Sequence, residues 1–178
     1  DGLSGAERVA DSAFSCGGED NLIATAHANG VVRVYKMERD AAGFGSYTCA
    51  QVLDLAGSVD SVMFCYARGI TGQAKMVPLT GSSGNTQFDL WDTANYAKVQ
   101  TVVIKADKNA LDLRVNHDPN FNFVTLSALN SGLAFVLRLD ASDAGDAQFT
   151  SLTTLPLSMP LLSMVVSTSA TTATTDAD

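Results

Sequence analysis

The sequence predicts an all-β fold built from a repeated four-stranded unit. Three observations predict it. Strand-like alternation runs through almost the whole chain, and helical periodicity is nearly absent. Short apolar runs are bounded by Gly- and Asn-containing turns. Three segments, "NGVVRVYKM", "GNTQFDLWDT" and "SGLAFVLRLD", read as variants of one phrase, a small turn residue leading into a strand.

The first round opens with "VADSAF" at 9–14. "NLIATAHA" at 21–28 reads as a buried strand that stops at Asn29-Gly30, the strongest two-residue hairpin signal. "VVRVYKM" at 31–37 puts Val32, Val34 and Lys36 on one face and Val31, Arg33, Tyr35 and Met37 on the other. A loop, "ERDAAGFGSY", separates it from an outer strand at 49–55. The second round has strands at 58–66, 75–81, 87–92 and 97–104, with the turn at Gly84-Asn85. The third has strands at 111–115, 121–127, 133–139 and 148–155, with the turn at Asn130-Ser131-Gly132. The turn glycines Gly30, Gly84 and Gly132 lie 54 and 48 residues apart (84 − 30 and 132 − 84). The best helical stretch, "DTANYAKVQ", is short and runs into β-branched residues.

Four strands with a period near 45–50 residues predict a fragment of a WD-repeat β-propeller, with blades at about 5–56, 57–105 and 108–156. Kelch repeats share the period but carry a Gly-Gly pair and spaced aromatics that this chain lacks. Trp91-Asp92 closes the third strand of the second repeat, where the WD dipeptide belongs. Tyr35-Lys36 and Leu137-Arg138 stand near the corresponding places, where a bulky apolar residue packs between blades. The Gly-His pair that usually precedes the first inner strand is missing, so the repeats are degenerate. The phrase recurs because no blade buries its apolar faces alone. Three blades do not close a ring of 4–8. An extra strand at 159–167 is expected to begin or complete another blade, and 168–178 reads as a disordered Ser/Thr/Ala-rich linker. The chain starts at Asp1 and is therefore expected to be a piece of a longer protein, with missing blades or self-association covering the bare faces.

Composition narrows the function. The 178 residues are 46% hydrophobic and 17% charged, which is globular. Net charge is −8 with no basic run, which disfavours direct nucleic-acid binding. Phe14, Tyr35, Phe88, Trp91 and Phe135 fall within apolar strands, where packing is their default role. "MPLLSMVV" is too short to span a bilayer, so no membrane role is expected. Cys16, Cys49 and Cys65 show no C-x-x-C spacing and read as reduced, buried thiols of a cytosolic protein. Neither His27 nor His117 has a cysteine at ligand-like spacing, so no metal and no cofactor is expected.

No catalytic residues are expected. "GSSG" at 81–84 is a polar turn and not G-x-S-x-G, and "GITGQAK" lacks the G-K-[ST] of a phosphate-binding loop. His27 is placed to hydrogen-bond across its turn or to face the rim, and His117 is placed in a loop whose Asp118-Pro119-Asn120 reads as a β-turn. Asp11 and Asp60 occupy matching positions, with Asp112 a third copy. They read as carboxylates accepting backbone N–H bonds in the loop between outer and inner strands, or else as an acidic ring at a central channel that binds a basic peptide. Partner binding is expected on the turns between second and third strands, at Asn29, Ser82, Ser83, Asn85 and Asn130, with Arg33 and Arg68 as polar anchors.

The order of motifs resembles one family. "RVADSAFSCGGEDNLIATAHANGVVRVYKM" resembles a WD repeat of the large mRNA-decapping scaffold, the enhancer of decapping that plants call Varicose. "MVPLTGSSGNTQFDLWD" and "FVTLSALNSGLAFVLRLD" look like its next two blades, the second without the WD signature. "LTTLPLSMPLLSMVVST" is similar to its exit segment, with Met159, Pro160, Leu161, Leu162 and Ser163 carrying the match. The resemblance covers roughly residues 5–168. It implies the C-terminal blades of a propeller of usually about seven. It also implies a non-catalytic docking platform for decapping factors in cytoplasmic processing bodies. The alternative of a different class is an architectural propeller of a coat or cytoskeletal assembly. A hydrolase propeller would need a His and Asp cluster around a central metal, and the chain lacks the histidines.

Overall fold

The computed structural model describes residues 8–15, 21–69, 74–105, 111–117, 122–142 and 146–160. Among them the chain is all-β, with twelve strands and no helix. They form three successive four-stranded antiparallel meanders. The first is β1 (Val9–Phe14), β2 (Leu22–His27), β3 (Val31–Arg39) and β4 (Gly45–Asp54). The second is β5 (Val59–Arg68), β6 (Ala74–Ser82), β7 (Gln87–Trp91) and β8 (Lys98–Val103). The third is β9 (Leu113–His117), β10 (Phe123–Ala128), β11 (Leu133–Ala141) and β12 (Ala147–Pro156). A single parallel bridge, Asp140 to Arg68, joins the second and third meanders into one eight-stranded sheet.

Several expectations change in detail. The loop expected at 38–47 is much shorter, because β3 runs to Arg39 and β4 begins at Gly45. Asp40 makes the tight turn: its Oδ1 accepts the N–H groups of Ala42 and Phe44, each at 2.9 Å. The stretch "DTANYAKVQ" is a turn followed by β8, with Asp92 Oδ1 accepting the Ala94 N–H at 2.7 Å. Of the extra strand expected at 159–167, only Met159 and Pro160 are described and neither is in a strand; the rest, with 168–178, lies outside the described residues.

The repeat register also shifts. The outer strand of each meander closes on the residue just before the third strand. Leu55 N–H donates to Gly30 O at 2.9 Å, Ile104 to Thr86 O at 2.8 Å and Leu157 to Gly132 O at 2.7 Å. The second-repeat counterpart of Gly30 and Gly132 is therefore Thr86, not Gly84, and the spacings are 56 and 46 residues (86 − 30 and 132 − 86). The cause is where the glycine stands in its turn: Gly30 and Gly132 are the last residues before the third strand, whereas Gly84 is followed by Asn85 and Thr86 before β7 begins. Counted from these anchors, Tyr35, Trp91 and Leu137 are equivalent, as the sequence predicts.

Alternation in the strands builds two cores. Leu22, Ala24, Ala26, Val32, Val34 and Leu53 of the first meander pack on Val59, Val62, Phe64 and Trp91 of the second. The opposite face of the second, with Cys65, Val77, Leu79, Phe88 and Leu90, packs on Leu113, Val124, Leu126, Phe135, Leu137 and Leu139 of the third. Each full burial of such a side chain contributes about 1.5–3 kcal/mol. The middle meander therefore has two dry faces and its neighbours are held through it.

Candidate functional site

The turns between second and third strands gather at one end of the meanders. Asp60 Oδ2 accepts the Gly84 N–H at 2.8 Å, and Leu113 N–H donates to Gly84 O at 3.1 Å. Asn85, at φ +56°, lies at the centre of this joint. Its Oδ1 accepts the Ser61 hydroxyl at 2.6 Å and its Nδ2 donates to Leu113 O at 2.9 Å. The Ser61–Asn85 bond fills the space where a side chain on Gly81 would stand. Asn29 and Ser83 are exposed, and Asn29 Oδ1 accepts the Val31 N–H at 3.2 Å. Asn130 is exposed on the third turn.

The residues expected at one rim do not all meet. Arg68 stands at the far end of β5. There the Asn122 side-chain amide clamps its backbone, accepting the Arg68 N–H at 3.2 Å and donating to its carbonyl at 3.0 Å. Arg33 lies mid-strand, its Nη1 donating to His27 Nε2 at 3.1 Å, where the Thr25 hydroxyl also donates at 3.0 Å. Arginine has no acceptor, so Nε2 carries the lone pair. His117, expected in a loop, ends β9 and is likewise an acceptor, taking the Tyr66 N–H at 3.3 Å while its ring stacks on Tyr66; the turn expected at Asp118-Pro119-Asn120 lies outside the described residues.

The acidic residues expected to match do not. Val9 and Val59 open their strands, and each strand has a bulge before the next paired residue, Asp11 and Ser61 respectively. The counterpart of Asp11 is Ser61, and Asp60 occupies the bulge. Both carboxylates do accept backbone N–H bonds: Asp11 Oδ2 takes the Val62 N–H at 3.0 Å, across to the second meander. Asp112 stands before β9, and its carbonyl accepts the Leu129 N–H as Arg8 does for Ala28, so it is no third copy of Asp11. Burial pushes the Cys65 thiol up, which makes it unreactive; Cys49, expected to be buried, is exposed because it lies in the solvent-facing part of the outer strand β4, and Cys16 lies outside the described residues. Among the described residues no three His, Cys, Asp or Glu side chains cluster to hold a metal. Among them, too, no helix is long and apolar enough to cross a membrane.

A concave site lies beside the turns. A cleft of about 210 Å³ opens between the first and second meanders, lined by Asp54, Leu55, Ser58, Ser82, Gln87, Asp89, Trp91 and Lys98. At its back Asp89, 4% exposed, is held by Lys98 Nζ at 2.9 Å and by the Thr101 hydroxyl at 2.6 Å. The Lys98 ammonium also lies 5.4 Å from the Trp91 ring centroid. Of this lining the sequence marks only Ser82 as a partner contact. Asp89 had a signal, a carboxylate between Phe88 and Leu90 on the strand face that carries Trp91. Asp54, Ser58 and Gln87 had none, because their meeting depends on how two sheets splay.

No protein-family model matches the chain, and no curated protein matches it.

Proposed function

We propose that the three meanders are blades of a degenerate WD-repeat propeller that acts as a non-catalytic protein-interaction scaffold, docking mRNA-decapping factors in the cytoplasm. The observation that carries the blade reading is Trp91. It ends the third strand of its meander, is only 8% exposed, and packs among side chains of the preceding meander. That is the place a blade-to-blade contact requires. The two histidines support a non-catalytic role, since each spends its Nε2 on holding strands together. The decapping assignment rests on the motif resemblance alone. The outward face of the first meander supports the expectation of a further blade or a second copy. It presents Phe14, 65% exposed, and Val52, with Ile23, Val31 and Tyr35 half-buried beside them.

The test is a mass-spectrometric inventory of proteins retained by the tagged protein from its native cells, with RNase added. Retention of the decapping enzyme and its activators supports the scaffold reading. Coat or cytoskeletal subunits in their place overturn the decapping assignment and favour an architectural propeller.

A further inference from the structure

The cleft between the first two meanders exists because their outer strands are not tied. β5 lies across β1, β2 and β3, so the sheets touch at their inner strands. Further out, Gln100 of β8 joins the second meander to the third. Its amide donates to Phe149 O at 3.3 Å and accepts the Phe149 N–H at 2.7 Å. Gln51 holds the equivalent place in β4, since it pairs with Val34 as Gln100 pairs with Leu90. Yet Gln51 turns back onto its own strand and donates to Val52 O at 3.3 Å. The wedge between the first and second meanders therefore stays open.

The lining of that wedge has unspent hydrogen-bonding capacity. The side chains of Asp54, Ser58, Ser82 and Gln87 make no hydrogen bond or ion pair to described residues, although all four converge on the cleft. Asp89 and Lys98 neutralise each other, leaving Asp54 as the uncompensated charge. An anion is disfavoured because the one cation is already engaged by a buried carboxylate. An apolar ligand would strip water from four polar groups and give nothing back. The volume, about 210 Å³, falls below the roughly 300–1,000 Å³ of nucleotide- or drug-sized sites. What fits is a cation with several donors on one flat group, facing acceptors on more than one wall.

We propose that this cleft binds the guanidinium of an arginine in a partner peptide, with Asp54 as the paired carboxylate and Gln87 Oε1, Ser58 and Ser82 as neutral acceptors. Arginine offers five N–H donors and no acceptor, which matches acceptors spread over two sheets better than the point charge of lysine. The proposal rests on the scaffold reading and names the partner chemistry of one site within it.

The test is an NMR titration of the full 178-residue chain with Nα-acetyl-arginine-N-methylamide, reading the Trp91 indole N–H and the Gln87 side-chain amide. Saturable shifts with a dissociation constant in roughly the millimolar range are expected for so small a probe. The citrulline counterpart, neutral and of the same shape, should leave both signals in place. Asp54→Asn, an exposed site, should weaken arginine binding at least about tenfold, and Gln87→Leu should weaken it less. Silent signals, an equal response to citrulline, or unchanged affinity in Asp54→Asn would each overturn the proposal. Failure here with decapping partners still retained removes the cleft alone. Arginine binding in a protein that retains no partner removes the scaffold reading and leaves the cleft.

Discussion

The Trp91 indole Nε1–H donates to Thr80 Oγ1 at 3.0 Å, tying the third strand of the second meander to its second strand. Both groups are buried, so the hydroxyl is what lets an indole stand between two sheets without an orphaned donor. Thr80→Val keeps the shape and removes the acceptor. It should destabilise the protein by about 1–3 kcal/mol in urea unfolding. In a Trp91→Phe background the same change should cost at least roughly 1 kcal/mol less, because no donor remains to be orphaned. Equal costs in the two backgrounds would mean that the bond contributes nothing.

Equivalent positions need not carry equal energy. Trp91 and Tyr35 occupy the same place in successive repeats, but Trp91 is enclosed by the first meander while Tyr35 faces outward, half-buried. Trp91→Ala should cost roughly 3–5 kcal/mol, as for other large-to-small changes in a packed core. Tyr35→Ala should cost about 1 kcal/mol or less in this chain. Unfolding midpoints of the two variants, measured side by side, check the contrast. A large loss at Tyr35 would show that its face is covered, in solution, by something else.

Much of the fold was legible because period-two alternation and short turns carry it directly. The strand beginning at Val31 and the one ending at Trp91 stand where their alternation places them. Counting glycines failed at the second turn, since Gly84 stands two residues before the anchor Thr86, whereas Gly30 and Gly132 are themselves the anchors. Matching Asp11 to Asp60 failed because it counts the second strand from Ser58, whereas β5 opens one residue later at Val59, the counterpart of Val9. The cleft was the least legible feature. It arises from Gln51 turning inward along its strand where Gln100 reaches across, and both are simply glutamine in an outer strand.

The same register makes a prediction at the turns. Gly30 sits at φ +87°, and a Cβ there would run into the carbonyls of Leu55 and Gly57. Gly30→Ala should therefore cost more than about 1 kcal/mol, from backbone strain and steric displacement together. Thr86, its counterpart, carries a side chain and uses it, donating from Oγ1 to Ser83 O at 2.7 Å. Thr86→Gly should lose that bond and gain nothing, a loss of roughly 1 kcal/mol. Thermal melts of both variants would reveal the error if Gly30→Ala were neutral.

Asp92 supplies the acid-sensitive element of the second meander. The Ala94 N–H holds its carboxyl below the ordinary value of 3.8; burial opposes this, and the Lys75 ammonium at 3.4 Å adds to it. A carboxyl that ionises more readily in the folded state stabilises the fold at pH values above its unfolded pKa. That contribution is lost as pH falls from about 4 through the lower folded value. Asn at this position keeps an oxygen for Ala94 but carries no charge, so it cannot lose one. The stability gap between wild type and Asp92→Asn should be widest near neutrality, begin to close just above pH 4, and shrink steadily as acid is added. Urea midpoints across that range decide it, and a gap that widened toward low pH would reverse the sign assigned to Asp92.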